Sequence, residues 1–269
     1  MKTAVFYENL WEGAQAAGRT VEDVLTQMHA EGMDKLYLSV DSWKRDREML
    51  RPVLEKLGMP VAGMHGFCDF PREPDTAYYR EMIDLAAEAG AENLLFVPGM
   101  YSTGNTVQDL DHMIAGMRKA VEYGRSKGLP ILMEDFDGVF APYNCAAGLR
   151  YFFERVPGLG CAFDTGNFIF FREDELQAFD LFADKIETLH LKDRTAEKRN
   201  EGDSPFLCAD GRPVYVCGTG TGDIRMAEIL ERLKKRNFTG NLVIELYCVD
   251  PRHVLETAAD SLRWLKARI

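Results

Sequence analysis

Several features that identify other classes of protein are missing from this sequence. No run of about 18 apolar residues occurs, so no ordinary transmembrane helix is predicted. The first residues lack the apolar core and cleavage site of a signal peptide. The six cysteines form no Cys-x-x-Cys pair, so neither a zinc knuckle nor a disulfide framework is expected. We expect a cytoplasmic protein with reduced thiols, with Cys208 and Cys217 at the surface beside a polar segment.

Positive charge is also scarce. The chain has 32 lysines and arginines against 43 acidic residues, a formal net charge of -11. Binding to nucleic acid depends on clustered Lys and Arg that neutralise phosphates, and no such cluster is visible. We therefore predict a small-molecule partner, with no nucleic acid and no membrane.

A regular alternation of helices and strands is present instead. Amphipathic stretches end at a glycine, and a short apolar run follows after two or three residues, as at Gly58, Gly90 and Gly128. Glycine supplies the left-handed C-cap of a helix, so these are predicted helix-to-strand joints. Strands are predicted at about residues 3–7, 35–40, 60–65, 93–98, 130–134, 160–164, 186–191 and 241–246.

Eight such units in 269 residues suit an α/β fold, a single (β/α)8 TIM barrel spanning residues 1–269. A doubly wound open sheet is the alternative, but it usually has a glycine-rich phosphate loop after an early strand, and none is present. The helical stretches agree with the barrel. One has apolar residues at Val21, Val24 and Met28 and a predicted N-cap at Thr20, and another runs through Leu110 and Val121.

A long polar segment follows the seventh predicted strand, at about residues 193–222. Turn-forming and charged residues dominate it, and we interpret it as a loop that covers or shapes a site, with a disordered excursion as the alternative. The glycine-dense stretch from Gly218 to Gly222 at its end resembles a phosphate-binding fingerprint only superficially. We interpret this stretch as a turn leading into a helix.

Four predicted strands in the C-terminal part each end on a side chain that can bind a metal: Glu134, Asp164, His190 and Glu245. The carboxyl ends of parallel strands meet at one rim of a barrel, so the four groups are expected to converge. Three carboxylates and one imidazole form a hard donor set. Such a set favours Mn²⁺, with Mg²⁺, Co²⁺ or Zn²⁺ as alternatives.

Each of the four residues also has a simpler interpretation. Glu134 could be a solvated strand end, Asp164 a turn or cap residue and His190 a hydrogen-bonded core histidine. A carboxylate between Ile244 and Leu246 is harder to explain without a partner, because burial of an unpaired charge is costly. The joint occurrence of the four residues favours a metal site.

The segments that carry these residues resemble the sugar phosphate isomerase/epimerase family, the xylose isomerase-like TIM barrels. The resemblance rests on four sequence segments and extends over nearly the whole chain: Ile131-Leu132-Met133-Glu134, Phe163-Asp164-Thr165-Gly166-Asn167, Leu189-His190-Leu191-Lys192-Asp193 and Val243-Ile244-Glu245. The family includes ketose 3-epimerases, inosose dehydratase, hydroxypyruvate isomerase and the endonuclease IV type of DNA-repair enzyme. The resemblance is specific for the superfamily but does not identify the substrate.

The resemblance implies that Glu134, Asp164, His190 and Glu245 are the metal ligands, and that Glu134 and Glu245 are also the catalytic acid/base pair. The metal would stabilise the enediolate formed when a carbon next to a carbonyl loses its proton. The predicted substrate-binding residues are His65, Asn167, Lys192 and Arg194. A homodimer or homotetramer is expected by family likeness alone.

Two departures from the family pattern bear on the substrate. Asn167 stands where many members have a histidine, and Asp135-Phe136-Asp137-Gly138 differs from the Pro-Leu-Asn-Arg pattern of ketose 3-epimerases. We predict a metal-dependent isomerase or epimerase of a sugar or polyol derivative. The alternatives are a lyase of the inosose dehydratase type and a non-catalytic sugar-binding barrel, and the DNA-repair function is disfavoured by the acidic charge and the few histidines.

Overall fold

The computed structural model describes residues 1–269 and contains a closed barrel of eight parallel strands. Strands occur at all eight predicted places, and the predicted fold class is confirmed. The barrel strands are β1 (Lys2–Phe6), β2 (Lys35–Ser39), β3 (Val61–Phe67), β4 (Leu94–Val97), β5 (Ile131–Met133), β6 (Gly160–Asp164), β7 (Ile186–Leu191) and β11 (Asn241–Ile244). Around the barrel they follow chain order, and β11 closes it between β7 and β1.

Nine α-helices surround the barrel. They are α1 (Tyr7–Ala17), α2 (Val21–Ala30), α3 (Val40–Leu57), α4 (Tyr78–Glu88), α5 (Thr106–Lys127), α6 (Ala146–Arg155), α7 (Glu175–Phe182), α8 (Met226–Lys235) and α9 (Val254–Lys266). The predicted cap of α2 is present, since the Thr20 side chain accepts a hydrogen bond from the Asp23 amide. Gly128 ends α5 at φ 70°, a left-handed conformation that glycine adopts at little cost.

The main core lies between the strands and the helices. It is a cluster of 67 buried apolar residues, to which helix residues such as Leu25, Met117 and Leu262 contribute. Burial of this much apolar surface is the dominant stabilising term in a fold of this kind. The barrel therefore provides a rigid frame for the side chains at its carboxyl rim.

The polar segment after β7 contains three short strands: β8 (Asp193–Thr195), β9 (Phe206–Leu207) and β10 (Pro213–Cys217). They form an antiparallel sheet with β10 in the centre. The expectation that Cys208 and Cys217 lie at the surface is wrong, because both are buried by this sheet, and Cys248 is the exposed cysteine. None of the helices is both long enough and apolar enough to cross a membrane.

Candidate metal and substrate site

The four predicted metal ligands lie on four neighbouring barrel strands. Glu134 directly follows β5, Asp164 is the last residue of β6, His190 lies within β7, and Glu245 directly follows β11. These strands are consecutive around the barrel, in the order β5, β6, β7 and β11. Parallel strands bring their carboxyl ends to one rim, so the barrel places these side chains on the same side of its mouth.

Three of the four side chains form a tight cluster. Ligand atoms of Glu134, Asp164 and His190 all lie within 4.8 Å of one another. His190 Nδ1 is 2.8 Å from Glu134 Oε2 and 3.7 Å from Glu245 Oε2. Glu245 is outside the 4.8 Å cluster but adjoins it through His190. Two carboxylates thus approach one imidazole nitrogen from different strands.

Asp164 shows that the donor set fits a divalent cation. Its Oδ1 accepts hydrogen bonds from the amides of Gly166 and Asn167, each at 2.8 Å, so the residue does serve as a turn cap. Its Oδ2 is buried and has no hydrogen-bond partner. Buried carboxylate oxygens are normally paired or bound to a metal. One oxygen therefore fixes the side chain, while the other accepts no hydrogen bond, has the ammonium group of Lys192 at 3.3 Å, and can serve as a ligand.

Lys192 supplies a positive charge next to this cluster. Its Nζ lies 2.7 Å from Glu245 Oε1 and 3.3 Å from Asp164 Oδ2, and it donates a hydrogen bond to Asn167 Oδ1 at 2.8 Å. Lys192 follows His190 by two residues along the extended chain, so both side chains point to the same face. A strong network of opposite charges results at the mouth of the barrel.

Burial and repulsion shift the pKa values of these groups. Burial, reinforced by Glu245, raises the pKa of Asp164 to about 6 despite Lys192. Burial and the charge of Asp164 raise the pKa of Glu134 well above its usual range. Burial lowers the pKa of His190, which favours the neutral imidazole that a metal requires. A carboxyl group with a raised pKa is also better suited to exchange protons with a substrate.

The residues predicted to bind substrate line a single cavity of about 360 Å³ at the same mouth. His65, Asn167, Lys192 and Arg194 are all in its wall, together with Glu134 and Glu245. The Asn167 side chain donates a hydrogen bond to the carbonyl oxygen of Asp135 at 2.9 Å and accepts one from Lys192. The position that differs from the family pattern is therefore part of the polar network.

Arg194 is a fully enclosed cation in this wall. Only 2% of it is exposed, its Nη2 donates to Asp137, and its guanidinium lies 4.5 Å from the centre of the Phe206 ring. Its Nε and Nη1 have no hydrogen-bond partner. Unpaired buried donors are rare, and they make Arg194 suited to hold an oxygen atom of a ligand.

Reasoning from the sequence alone missed several members of the site. Asp137 pairs with Arg194, and Phe6 and Tyr37 pack against the His190 ring with centroid distances of 4.9 Å each. Phe6 is the last residue of β1 and Tyr37 lies in β2. An aromatic residue in a strand is predicted to be part of the hydrophobic core, so neither was assigned to the site. Asp137 lies in the acidic turn after Glu134, and this turn was the only signal that could have identified it.

Asp193 was also missed, and it organises the glycine-dense turn. Its carboxylate accepts hydrogen bonds from the backbone amides of Gly220, Gly222 and Ile224 at 2.7, 3.1 and 3.3 Å. The interpretation of this stretch as a turn that leads towards a helix agrees with these contacts, since α8 begins at Met226. The turn is thereby tied to the strand segment that directly follows His190 and Lys192.

Residues 14–268 match the family described as xylose isomerase-like TIM barrel. The match extends over almost the entire sequence, and the chain belongs to this family. The resemblance predicted from the four sequence segments is therefore confirmed.

Solved structures with the same fold include several sugar epimerases and a dehydratase. A probable 3-DHS dehydratase from Bacillus anthracis has 13% identity and a TM-score of 0.75, with 100% of both chains covered. A D-allulose 3-epimerase from Methylomonas sp. has 17% identity and a TM-score of 0.72, covering 100% of this chain and 98% of the other. A 3-keto-D-glucoside 4-epimerase from E. coli has 15% identity and a TM-score of 0.67, with 99% of each chain covered. No curated protein matches the sequence significantly.

Proposed function

We propose that this protein is a metal-dependent isomerase or epimerase of a sugar or polyol derivative. The observation that carries the proposal is the placement of Glu134 and Glu245 at 2.8 and 3.7 Å from the same nitrogen of His190, in the wall of one cavity. Two carboxyl groups in the wall of one small cavity can act on the same substrate, one removing a proton and the other returning it. The family and the sugar epimerases with the same fold support this assignment.

Glu134, Asp164, His190 and Glu245 are the proposed metal ligands. The buried Oδ2 of Asp164, which accepts no hydrogen bond, and the lowered pKa of His190 suit this role. When bound, a divalent cation would supply Lewis-acid stabilisation of negative charge on substrate oxygen. Hard oxygen donors favour Mn²⁺ over softer metals, with Mg²⁺, Co²⁺ and Zn²⁺ as the alternatives.

Glu134 and Glu245 are the proposed catalytic residues. One removes a proton from a substrate carbon next to a carbonyl group, and the other returns a proton to the substrate. Burial and the charge of Asp164 raise the pKa of the Glu134 carboxyl group, which favours its use as the group that returns the proton. Lys192 lies 2.7 Å from Glu245 and can hold that carboxylate in place while the proton moves.

His65, Asn167, Lys192 and Arg194 are the proposed substrate-binding residues. Each lines the cavity and carries a polar group suited to a hydroxyl or carbonyl oxygen. The sheet after β7 shapes the same cavity, since Phe206 and Val216 are in its wall. We propose that this segment selects the substrate, within a single domain that spans residues 1–269.

The test is incubation with a panel of sugars in heavy water with added Mn²⁺. The proposal expects deuterium at a carbon next to the carbonyl group of at least one sugar, as shown by NMR or mass spectrometry. Loss of the exchange under a chelator and recovery with Mn²⁺ would establish the metal requirement. A protein that retains the metal and exchanges no proton into any sugar would instead be a non-catalytic sugar-binding barrel.

A lyase of the inosose dehydratase type is the second candidate. The fold shared with a probable 3-DHS dehydratase favours it, and the same base would serve an elimination of water. Product analysis separates the two, because a lyase yields a product lighter by one water while an isomerase conserves the mass. A homodimer or homotetramer and the cytoplasmic location remain predictions from the sequence.

A further inference from the structure

A partly buried carboxylate outside the proposed metal cluster has one buried oxygen without a partner. Glu8 is the second residue of α1, just after β1. Its Oε1 accepts hydrogen bonds from the Ser39 amide at 2.8 Å and from Ser42 Oγ at 2.6 Å. Its Oε2 is buried and accepts no hydrogen bond. The carboxylate is thus held firmly at one atom and open at the other.

His65 has a buried ring nitrogen without a hydrogen-bond partner, which matches the open oxygen of Glu8. It lies in β3 and lines the cavity, while its Nδ1 is buried without a hydrogen-bond partner. Its ring is stacked on Tyr37 at a centroid distance of 5.7 Å and packs against Phe6 at 5.3 Å. Because Nδ1 is buried, Nε2 is the nitrogen left to face the cavity.

The strand register brings the two side chains together. Ser39, whose amide binds Glu8, is the register partner of His65 between β2 and β3. Burial would raise the pKa of Glu8, but the nearby His65 and the hydrogen bonds from Ser42 and Ser39 outweigh it and leave the pKa lower than usual. Burial lowers the pKa of His65, and Glu8 offsets part of that effect.

We propose that Glu8 is a positioning residue that binds the Nδ1–H group of His65 and leaves His65 Nε2 as a hydrogen-bond acceptor in the cavity. Glu8 Oε2 and His65 Nδ1 form no hydrogen bond or ion pair in the structure, so the proposed contact requires one of the two side chains to move towards the other. A carboxylate that holds one ring nitrogen fixes the tautomer and raises the basicity of the other. His65 then accepts a hydrogen bond from a substrate hydroxyl, on the side of the cavity away from Glu245.

Other groups around the ring do not provide the same support. Asp41 on α3 also favours the protonated imidazole, and His190 on β7 opposes it. The Tyr37 hydroxyl donates to the carbonyl oxygen of Met64 and is not free for His65. Glu8 is therefore the carboxylate that both acts on His65 and has a buried oxygen without a partner.

The test is the tautomer of His65 in metal-free protein labelled with ¹⁵N at histidine. The expected wild-type spectrum has a protonated Nδ1 and an unprotonated Nε2, assigned by the loss of the signals in His65→Gln. In Glu8→Gln, the side-chain oxygen keeps both serine contacts and the amide NH₂ faces Nδ1. The tautomer should then reverse, so that Nε2 carries the proton, and the pKa of His65 should fall because the negative charge of Glu8 is removed.

Glu12→Gln is the matched control, since Glu12 is on the same helix and exposed. It should leave the His65 tautomer unchanged. A wild-type His65 protonated at Nε2, or a tautomer that is the same in wild type and Glu8→Gln, would overturn the inference. The wild-type spectrum alone shows which nitrogen of His65 carries the proton, so it tests the proposal even if Glu8→Gln does not fold.

The expected effect of Glu8 on catalysis rests on the proposed function. With a sugar that exchanges deuterium, Glu8→Gln should lower kcat about tenfold with little change in KM, and it should have no further effect in a His65→Gln background. A protein that exchanges no sugar proton but shows the tautomer reversal would refute the proposed function and keep the Glu8 contact. A protein that exchanges a sugar proton but shows no tautomer reversal would refute the Glu8 contact and keep the proposed function.

Discussion

The two halves of the barrel mouth differ in kind. The half formed by β5, β6, β7 and β11 carries carboxylates, one imidazole and Lys192, and several of its buried polar atoms have no partner. The half formed by β1, β2 and β3 carries Phe6, Tyr37 and His65, whose rings contact one another at centroid distances of 4.7 to 5.7 Å. The first half gathers several charged groups, and packed aromatic rings dominate the second.

The difference indicates how the site is held. Several buried carboxylates close together destabilise a fold, so their grouping at one place indicates a functional site. Packed aromatic rings stabilise a fold and restrict motion. The two halves meet at His190, whose Nδ1 faces Glu134 while its ring packs on Phe6 and Tyr37. The aromatic half thus orients the imidazole for the acidic half.

The largest expected effect is on catalysis in the acidic half. Glu245→Gln should lower solvent-proton exchange by about 10³-fold, because an amide cannot carry a proton to or from carbon. Exchange into the substrate in heavy water measures this. The control is Glu187→Gln, an exposed position on β7, which should retain full exchange. Full activity in Glu245→Gln would remove this residue from the mechanism and end the functional contrast between the two halves.

A large effect on stability is expected for Lys192→Met. In the metal-free protein it leaves the carboxylates of Asp164 and Glu245 without their cation, which should cost about 3 kcal/mol of unfolding free energy. Urea denaturation measures the loss, and added Mn²⁺ should recover part of it. Lys198→Met, at an exposed position, should be neutral. An unchanged midpoint in metal-free Lys192→Met would show that the acidic half is not under electrostatic strain.

A smaller effect is expected from pH on metal affinity. Protons compete with the cation for Asp164, whose pKa is about 6, so affinity for Mn²⁺ should fall by roughly tenfold per pH unit below that value. In the metal-free protein the same raised pKa adds stability at acid pH, and this contribution is lost as pH rises through about 6. Calorimetric titration over a pH series measures the affinity. A pH-independent affinity would contradict the assignment of Asp164 as a ligand, and Asp164→Asn should bind weakly at every pH.

The smallest effect is expected in the aromatic half. Tyr37→Phe removes a buried hydrogen bond of 3.2 Å to the Met64 carbonyl oxygen and should cost about 1 kcal/mol. Its Mn²⁺ affinity should stay within about twofold of wild type, because the ring against His190 is kept. Tyr123→Phe, whose hydroxyl contact is at the surface, should cost less. A large loss of metal affinity in Tyr37→Phe would show that the two halves are not separable.

The fold and the ligand set were accessible from the sequence for a topological reason. Apolar runs of strand length separated by helices predict a parallel barrel, and a barrel brings every strand end to one rim. The residues at those ends, such as Glu134 and Glu245, could therefore be grouped without knowledge of any distance. Asn167 was placed correctly beside them because it follows Asp164 closely in the chain.

Contacts between side chains from distant segments could not be predicted from the sequence in the same way. Lys192 was predicted to bind substrate, and its ion pairs with Asp164 and Glu245 depend on side-chain directions that periodicity does not give. Glu8 and His65 are 57 positions apart and on different elements, and nothing in either local sequence indicates the other. The sheet after β7 was missed because its strands are only two to five residues long.

The contact between Asp193 and the glycine-dense turn has a consequence for the choice of substrate. TIM-barrel enzymes frequently hold a substrate phosphate with the backbone amides of the loops after their last two strands. In this protein the amides of Gly220, Gly222 and Ile224 already surround a carboxylate of the chain itself. Because Asp193 already accepts their hydrogen bonds, these amides are not available to hold the phosphate group of a ligand unless that carboxylate is displaced.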